Sequence, residues 1–376
     1  MWQNPQRTRI HFIDSEIDEV LRIELEAMSV ERPLLVADNA GFDAGIFEEL
    51  LFGGCGNAAD HDDRMSSVHL AGTQYAVDTV AAVARRLGRN GHDGLIVIGG
   101  RGVIDAGKLA LRDVIRRQAK NRRQSEVKGH LPLIVIPTSP EDGAGLRRWT
   151  RVRDADGHFK SVQDDAFLPD VVICDSRLGQ DFDEKAAICA EFDVVIHCIE
   201  TLVRPRLSPP AKGLALDCLR QTWRHLRFRA GHGAKTPPSN PRFSRAVNAA
   251  LSENGGLGAA HAIALGLEEA QPVPPCHGYF HAAVLGPVLR FNEPASTVAI
   301  TEIEDAMGST RGAAGIAATV KETAIQLGLP GTLVELNLSD EEISLLAQSV
   351  AEDPGSMTNP RRARTEDYEA MLREIA

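Results

Sequence analysis

The sequence predicts two domains, an α/β domain followed by an all-helical domain. Four short apolar runs have the length and composition of buried strands: residues 33–37, 95–98, 133–136 and 171–174. Helical stretches such as Gln74–Leu87 and Ile104–Arg117 alternate with these runs, and this alternation is typical of a mostly parallel sheet. No such run follows Arg177, where helices separated by Gly and Pro breaks take over. We therefore expect an α/β domain over residues 1–178 and a helical domain over residues 179–376.

Composition limits the possible partners and compartments. A chain of 376 residues, 43% hydrophobic and 25% charged, can bury a large core. Its net charge of −11 argues against a nucleic-acid or anionic-membrane surface. We find no apolar stretch near the ~18 residues needed to span a bilayer and no signal-peptide core at the N-terminus. The six cysteines show no pairing pattern, so we expect a reducing cytoplasm.

A glycine-rich loop follows one of the predicted strands. Leu95–Ile98 leads directly into Gly99-Gly-Arg-Gly-Val-Ile-Asp-Ala-Gly-Lys108, and a helical pattern comes next. Glycines allow close approach, and a helix N-terminus carries partial positive charge, so backbone N–H groups here could bind a phosphate. The spacing is not G-x-G-x-x-G, and an ordinary tight turn explains it equally well when it is taken alone. A second strand ends in the hydroxyl residues of Pro137-Thr-Ser139, and together the two loops favour ligand binding at the carboxyl edge of the sheet.

Four side chains in the second half of the chain could form one metal site. Asp193 and His197 lie four residues apart in an apolar helical stretch, so they leave the same helix face one turn apart. His261 lies in a second apolar stretch, and His277 follows a Pro-rich turn. Any one of these histidines alone is more often an ordinary core or surface residue. One carboxylate and three imidazoles together suit Fe²⁺ or Zn²⁺ and leave a coordination position for a substrate oxygen.

These motifs, in this order, resemble the iron-containing (group III) alcohol dehydrogenases of the dehydroquinate-synthase-like superfamily. The resemblance runs from about Arg32 to the C-terminus. Family members carry a strand ending in Thr-Asp, a Gly-Gly-Gly-Ser-x-x-Asp-x-x-Lys loop and a Pro-Thr-Thr loop, followed by Leu-Pro-Asp, Asp-x-x-x-His, Leu-Gly-x-x-His and Pro-His-Gly. The matching segments of this chain are Leu34–Asp38, Gly99–Lys108, Pro137–Ser139, Leu168–Asp175, Asp193–His197, Asn254–His261, Cys276–Gly278, Leu289–Asn292 and Thr358–Arg361.

The resemblance implies a dinucleotide-binding α/β domain, a metal-binding helical domain and an active site in the cleft between them. It implies these cofactor contacts: Asp38, Gly99, Gly100, Arg101, Gly102, Asp105, Thr138, Ser139 and Lys160. It also implies the metal ligands Asp193, His197, His261 and His277, a small alcohol, aldehyde or keto substrate, and a homodimer. A carboxylate at position 38 can bind the adenosine ribose and repels a 2′-phosphate, which favours NAD over NADP. The alternative for Asp38 is a plain turn residue.

Departures from the family pattern surround the predicted site. Family alcohol dehydrogenases usually have a second histidine four residues after the third ligand, whereas this chain has Leu265, which cannot move a proton. His281 is the substitute that we expect in the proton relay, because it follows His277 by one helical turn; the alternative is a packing histidine. Loop residues also differ, since Arg101 and Gly102 replace Gly and Ser, and Pro140–Gly145 replaces Ala-Gly-Thr-Gly-Ser-Glu.

Three functional hypotheses follow. The first is an NAD(P)-linked alcohol dehydrogenase or aldehyde reductase that depends on a metal. The second is reduction of an acidic keto acid, since His277-x-x-x-His281 resembles the maleylacetate reductase branch and Arg147 with Arg148 could bind a carboxylate. The third is a non-catalytic, cofactor-binding homologue in which Leu265 and the altered loops reflect lost turnover.

Overall fold

The chain divides into two compact units, Met1–Asp181 and Phe182–Ala376, called here the N-terminal and C-terminal units. The structure is a computed structural model. It describes residues 8–38, 66–70, 77–89, 91–121, 130–139, 145–153, 159–178, 184–232, 258–271, 275–308, 312–353 and 355–376. Parts of three sequence predictions lie outside these residues, namely residues 74–76 of the first predicted helix, residues 140–144 of the altered loop and residues 254–257 of the Asn254–His261 segment.

The N-terminal unit is built on a parallel sheet, as the sequence predicted. Its strands in chain order are β1 (Arg9–Ile13), β2 (Pro33–Asp38), β3 (Ser66–Leu70), β4 (Gly94–Gly99), β5 (Leu133–Pro137) and β8 (Val171–Asp175), and β6 (Trp149–Arg153) pairs with β7 (Phe159–Gln163) in a separate antiparallel hairpin. The spatial order of the six-stranded sheet is β1-β8-β5-β4-β2-β3, with every pair parallel. The described helices of this unit are α1 (Ile17–Met28), α2 (Val77–Arg89) and α3 (Arg101–Asn121).

Burial explains why the four predicted strands were visible in the sequence. Every residue of β2, β4, β5 and β8 is buried, and strands covered on both faces are nearly continuous apolar runs. Neighbouring strands β2, β4 and β5 are paired in register, so Asp38, Gly99 and Thr138 come together at one sheet edge. The glycine loop is shorter than the sequence suggested, because α3 begins at Arg101, inside the Gly99–Lys108 segment.

The C-terminal unit is helical throughout its described residues. Its helices are α4 (Glu184–Val203), α5 (Pro209–His232), α6 (Ala259–Ala270), α7 (His281–Met307), α8 (Gly312–Gln326), α9 (Asp340–Glu352) and α10 (Thr365–Ile375). Helix α4 is central, since all of its residues from Ala187 to Val203 are buried. A helix that is apolar on all sides must be surrounded by others, so polar residues on α4 are removed from water.

The expectation of no cysteine pairing is wrong for one pair. Cys189 on α4 and Cys276, next to His277, form a disulfide whose Cα atoms are 6.4 Å apart. The two residues are 87 positions apart, and their meeting depends on tertiary packing that sequence spacing does not show. Cys174, Cys198 and Cys218 are buried, and none of the three forms a disulfide with a described residue.

None of the described helices combines the length and the apolar character that a bilayer span requires.

Candidate metal centre and nucleotide loop

A buried carboxylate in the C-terminal unit is surrounded by four imidazole rings. Asp193 is 1% exposed, and each of the four histidines is at most 5% exposed. The Asp193 Oδ1 atom lies 2.9 Å from His261 Nε2, 3.2 Å from His277 Nε2 and 3.5 Å from His281 Nε2. It also lies 3.0 Å from His197 Nδ1. The carboxylate is therefore the common neighbour of all four rings.

Three helices and one turn bring these side chains together. Asp193 and His197 lie one turn apart on α4, His261 is in the first turn of α6, and His281 begins α7. His277 lies in the turn before α7, where Gly278 has a φ of +93°. A Cβ atom at position 278 would overlap the backbone carbonyl of Cys189. Glycine therefore lets the turn pack directly on α4 and places His277 beside Asp193.

Four of the five residues offer donor atoms that lie within 4.8 Å of one another: Asp193, His261, His277 and His281. The predicted ligand His197 is adjacent but outside this group. Its Nδ1 donates to the backbone carbonyl of Asp193 at 2.9 Å, and its ring centroid is 4.1 Å from that of His261. Three predicted ligands thus lie together, and His281, which the sequence suggested as a proton relay, lies among them.

Two further carboxylates contact the outer nitrogens of the cluster. Glu200 Oε2 is 2.6 Å from His261 Nδ1, and Glu268 Oε2 is 2.9 Å from His277 Nδ1. An ionised carboxylate only accepts hydrogen bonds, so each of these Nδ1 atoms carries a proton, which leaves Nε2 as the nitrogen that would bind a cation. This is the tautomer that metal coordination through Nε2 requires.

Backbone contacts hold these two carboxylates in place. Glu200 accepts from the N–H groups of Gly258 at 2.9 Å and Ala260 at 2.6 Å, and so caps the start of α6. Glu268 accepts from the Gly278 N–H at 3.3 Å. Neither residue was predicted from the sequence. A signal was present, since Glu200 follows Asp193 by seven positions and Glu268 follows His261 by seven, two turns along the same helix face.

Burial and mutual charge interactions shift the pKa values of the residues in this cluster. Burial alone would raise the pKa of Asp193, but the adjacent His197 and His277 outweigh burial and hold this pKa well below its usual range. Burial lowers the pKa of His281 well below its usual range, and His261 and His277 act in the same direction. Burial opposes the positive form of His261, yet Glu200 and Asp193 raise its pKa. An ionised carboxylate at the centre of the cluster attracts a cation.

The donor chemistry fits a divalent metal ion. Both ring nitrogens of His281 are buried and have no hydrogen-bond partner among the described residues. Leaving such polar atoms unsatisfied costs free energy, and a substrate or water oxygen bound beside a cation in the cluster would remove that cost. Imidazole nitrogens with one carboxylate oxygen suit Fe²⁺ or Zn²⁺.

The glycine loop of the N-terminal unit is organised by a second buried carboxylate. Asp38 is 6% exposed, and its Oδ2 accepts from the Gly100 N–H at 2.8 Å. Gly99 has a φ of +147°, and a Cβ atom there would overlap the Asp38 carboxylate. Thr138 N–H donates to the Gly99 carbonyl at 3.0 Å, which joins the second loop to the first. Asp38, Gly99, Gly100 and Thr138 are therefore assembled at one sheet edge.

The other predicted cofactor residues lie in three places: the end of β5, the first two turns of α3, and β7. Thr138 and Ser139 are each 5% exposed at the end of β5, and Arg101, Gly102 and Asp105 lie in the first two turns of α3. Lys160 lies on β7, opposite Val152 of β6, and its side chain is outside the described residues. Lys108 is 1% exposed and donates to the carbonyls of Gly145 at 2.5 Å and Arg147 at 3.0 Å.

Two family models cover almost the whole chain. Residues 8–176 match the model of the iron-containing alcohol dehydrogenases, and residues 187–376 match the C-terminal model of the Fe-containing alcohol dehydrogenase family. The chain belongs to the iron-containing alcohol dehydrogenase family. It is thus an oxidoreductase of a family that acts on alcohols and aldehydes and uses NAD and a divalent metal at the family level.

Individual relatives support the same assignment. The chain is 28% identical to 4-hydroxybutyrate dehydrogenase of Cupriavidus necator over 98% of both chains. It is 22% identical to the NAD-dependent methanol dehydrogenase of Bacillus methanolicus over 89% of this chain and 85% of the relative. Its fold matches sulfoacetaldehyde reductase from Bifidobacterium kashiwanohense in complex with NAD⁺, with a TM-score of 0.83 and 20% identity over 100% of this chain and 99% of that one. This likeness confirms the predicted fold class.

The contact between Glu268 and His277 generates a prediction about metal affinity. Glu268→Gln should weaken divalent-metal binding by about 10- to 100-fold, because a neutral amide holds the His277 tautomer less firmly and makes its ring less basic. Competition with a chromogenic chelator measures the affinity. Glu335→Gln, an exposed position in the same unit, is the matched control. Equal affinities for the two variants would show that Glu268 does not support the centre.

Proposed function

We propose that this protein is a metal-dependent, NAD-linked dehydrogenase that interconverts an alcohol with an aldehyde or ketone. The observation that carries the proposal is the pair of imidazoles, His261 and His277, whose Nε2 atoms face Asp193 while carboxylates hold their Nδ1 atoms. This arrangement presets nitrogen lone pairs and one carboxylate oxygen around a single point. Preset donors of this kind are what a catalytic metal site requires.

The metal ligands proposed are Asp193, His197, His261 and His277, with Fe²⁺ or Zn²⁺ as the cation. When bound, the cation supplies Lewis acidity that stabilises negative charge on the substrate oxygen. Asp193 and the imidazoles would hold the cation in a site closed to bulk water, where electrostatic effects are strong. His281 lies 3.5 Å from the same carboxylate, and we assign it the exchange of the alcohol proton.

The cofactor contacts proposed are those of the glycine loop and its neighbours: Asp38, Gly99, Gly100, Arg101, Gly102, Asp105, Thr138, Ser139 and Lys160. Backbone N–H groups at the start of α3 suit the dinucleotide phosphates. The Asp38 carboxylate suits the adenosine ribose of NAD and opposes a 2′-phosphate. Hydride transfer requires the nicotinamide to meet the substrate carbon at the metal centre. The homodimer and the cytoplasmic location stay predictions from the sequence.

One observation favours an acidic substrate as a second candidate. Arg147, which the sequence suggested as a carboxylate-binding residue, is 6% exposed. A buried guanidinium suits a carboxylate, as in reduction of an acidic keto acid or oxidation of a hydroxy acid. The relatives named 4-hydroxybutyrate dehydrogenase and sulfoacetaldehyde reductase both bear names of anionic compounds.

A substrate panel tests the proposed activity. The metal-loaded protein should form NADH from NAD⁺ with at least one of 4-hydroxybutyrate, 1,3-propanediol, butan-1-ol or methanol, followed by absorbance of the reduced nicotinamide. A chelator should abolish the rate, and Fe²⁺ or Zn²⁺ should restore it. The reverse direction is assayed with aldehydes and keto acids. Tight NAD binding without turnover in either direction would contradict the proposal and favour a non-catalytic homologue.

Asp38 provides a test of cofactor choice. Asp38→Asn keeps the size of the side chain and removes its charge, so the ratio of kcat/KM for NAD to that for NADP should fall by about tenfold or more, because repulsion of the 2′-phosphate is lost. The Asn side-chain oxygen can still accept from Gly100 N–H, which preserves the loop. An unchanged ratio would show that Asp38 stabilises the turn but does not determine the preference for NAD over NADP.

His281 provides a test of proton transfer. His281→Ala should lower turnover by about 10²-fold with metal content preserved, because a general acid–base is lost. Leu265→His in that background should recover part of the rate, since position 265 follows His261 by one helical turn. Loss of metal in His281→Ala would instead make His281 a ligand, and normal turnover would exclude it from the relay.

A further inference from the structure

A covalent bond joins two segments that carry proposed metal ligands. Cys189 lies one helical turn before Asp193 on α4. Cys276 directly precedes His277 in the turn before α7. The disulfide between the two cysteines spans 87 positions of the chain and holds their Cα atoms 6.4 Å apart. It therefore limits how far the turn that carries His277 can move from the helix that carries Asp193.

The other contacts of this turn do not require the disulfide. Gly278 packs on the backbone carbonyl of Cys189, and its N–H donates to Glu268 at 3.3 Å. Glu268 Oε2 also lies 2.9 Å from His277 Nδ1. The turn therefore keeps its fold when the disulfide is broken, but the covalent limit on its motion away from α4 is lost. The 3.2 Å separation of His277 Nε2 and Asp193 Oδ1 then varies more.

The two cysteines differ in exposure. Cys189 is 0% exposed, whereas Cys276 is partly exposed. The other described cysteines are buried, and none forms a disulfide with a described residue: Cys174, Cys198 and Cys218. Cys276 is therefore the described cysteine that a dissolved thiol reaches first. Disulfides that occur where thiols are kept reduced are usually transient or redox-sensing, so the reducing compartment that the sequence predicts favours a reversible bond here.

We propose that Cys189 and Cys276 form a reversible redox site, in which the disulfide raises the affinity of the centre for its metal. The proposal rests on the proposed function through the ligands Asp193 and His277, and it is independent of the substrate. The oxidised form binds the metal tightly, and the reduced form releases it more readily.

Reduction of the disulfide uses a low-molecular-weight thiol such as glutathione. Its thiolate attacks Cys276 Sγ, the S–S bond breaks, and the electron pair leaves on Cys189 Sγ, which takes up a proton. A second thiolate attacks the mixed disulfide, and the Cys276 thiolate leaves and is protonated in turn. The cysteine pair gains two electrons and two protons, and two small thiols become one small disulfide. Oxidation by that small disulfide reverses these steps.

Metal binding and disulfide formation should stabilise each other. The disulfide restricts the turn that carries His277 before the metal binds, so less conformational entropy is lost on binding. Reciprocity then requires the bound metal to stabilise the disulfide by the same factor. A metal affinity that differs about tenfold between the two forms corresponds to a reduction potential about 30 mV more negative for the metal-loaded protein than for the metal-free protein. Two independent measurements therefore report one coupling.

The first measurement is the affinity for Zn²⁺ by competition with a chromogenic chelator. Wild type is measured after mild oxidation and after reduction by a phosphine that is then removed, and alkylation with mass spectrometry counts the thiols. Reduction should weaken Zn²⁺ binding by about tenfold. Cys276→Ala should bind as reduced wild type does under both conditions. Cys174→Ala, in the N-terminal unit, is the matched control and should respond to reduction as wild type does. Thermal unfolding verifies that each variant is folded.

The second measurement is the fraction of protein with the disulfide in a series of glutathione redox buffers. It is made on metal-free protein and again with free Zn²⁺ held constant by a metal buffer. The metal-loaded protein should lose the disulfide at a potential about 30 mV more negative.

The proposal is overturned if both cysteines are still alkylated after oxidation. It is equally overturned if reduction leaves the Zn²⁺ affinity of wild type within about twofold or raises it. Either result with normal NAD-linked turnover leaves the dehydrogenase standing and removes only the redox site. Conversely, redox-dependent Zn²⁺ affinity in a protein without turnover would retain the redox site and refute the proposed function.

Discussion

The C-terminal unit depends on one constraint, the burial of an ionised Asp193 among imidazole rings. A carboxylate removed from water must be compensated by hydrogen bonds, protons or a cation, or its burial would destabilise the fold. Helix α4 is buried along nearly its whole length, so Asp193 has no route to solvent by side-chain rotation. His197, His261, His277 and His281 are the groups available to meet this requirement, and a divalent cation satisfies it with neutral imidazoles.

The carboxylates outside the cluster extend the same constraint. Glu200 and Glu268 orient the rings of His261 and His277, and both are held by backbone N–H groups rather than by flexible side chains. The orientations of the His261 and His277 rings therefore depend on the start of α6 and on the turn at Gly278. A buried carboxylate also organises the loop of the N-terminal unit. Asp38 accepts a hydrogen bond from the Gly100 N–H, and only glycine at position 99 leaves room for the Asp38 carboxylate. In both units a buried carboxylate positions the backbone of the site.

The sequence predicted the strands and helices that depend on the local pattern of apolar and polar residues. Strands β2, β4, β5 and β8 are buried on both faces and appear as apolar runs. Strands β1 and β3 were not predicted, because Arg9–Ile13 is partly exposed and Ser66–Leu70 is largely polar. The shared helix face of Asp193 and His197 was likewise predictable, because residues four positions apart on an α-helix lie one turn apart on the same face.

Features that depend on contacts between residues distant in the sequence could not be predicted from local patterns. The roles of Glu200 and Glu268 become apparent only when the imidazole that each one faces is known. The pairing of Cys189 with Cys276 links positions that have no local relation. The burial of Arg147 depends on Trp149 and α3, whereas the sequence showed only two adjacent arginines. His281 was recognised from its spacing, but its place within the donor group required the packing of α6 against α7.

The most direct test of the account is the metal content of the purified protein after chelation and reloading, measured by elemental mass spectrometry. Wild type should bind about one Fe²⁺ or Zn²⁺ per chain, whereas His261→Ala and His277→Ala should bind almost none while remaining folded. His232→Ala, an exposed histidine of the same unit, should bind as wild type does. Full metal occupancy in His261→Ala or His277→Ala would contradict the central claim that this cluster is a metal centre.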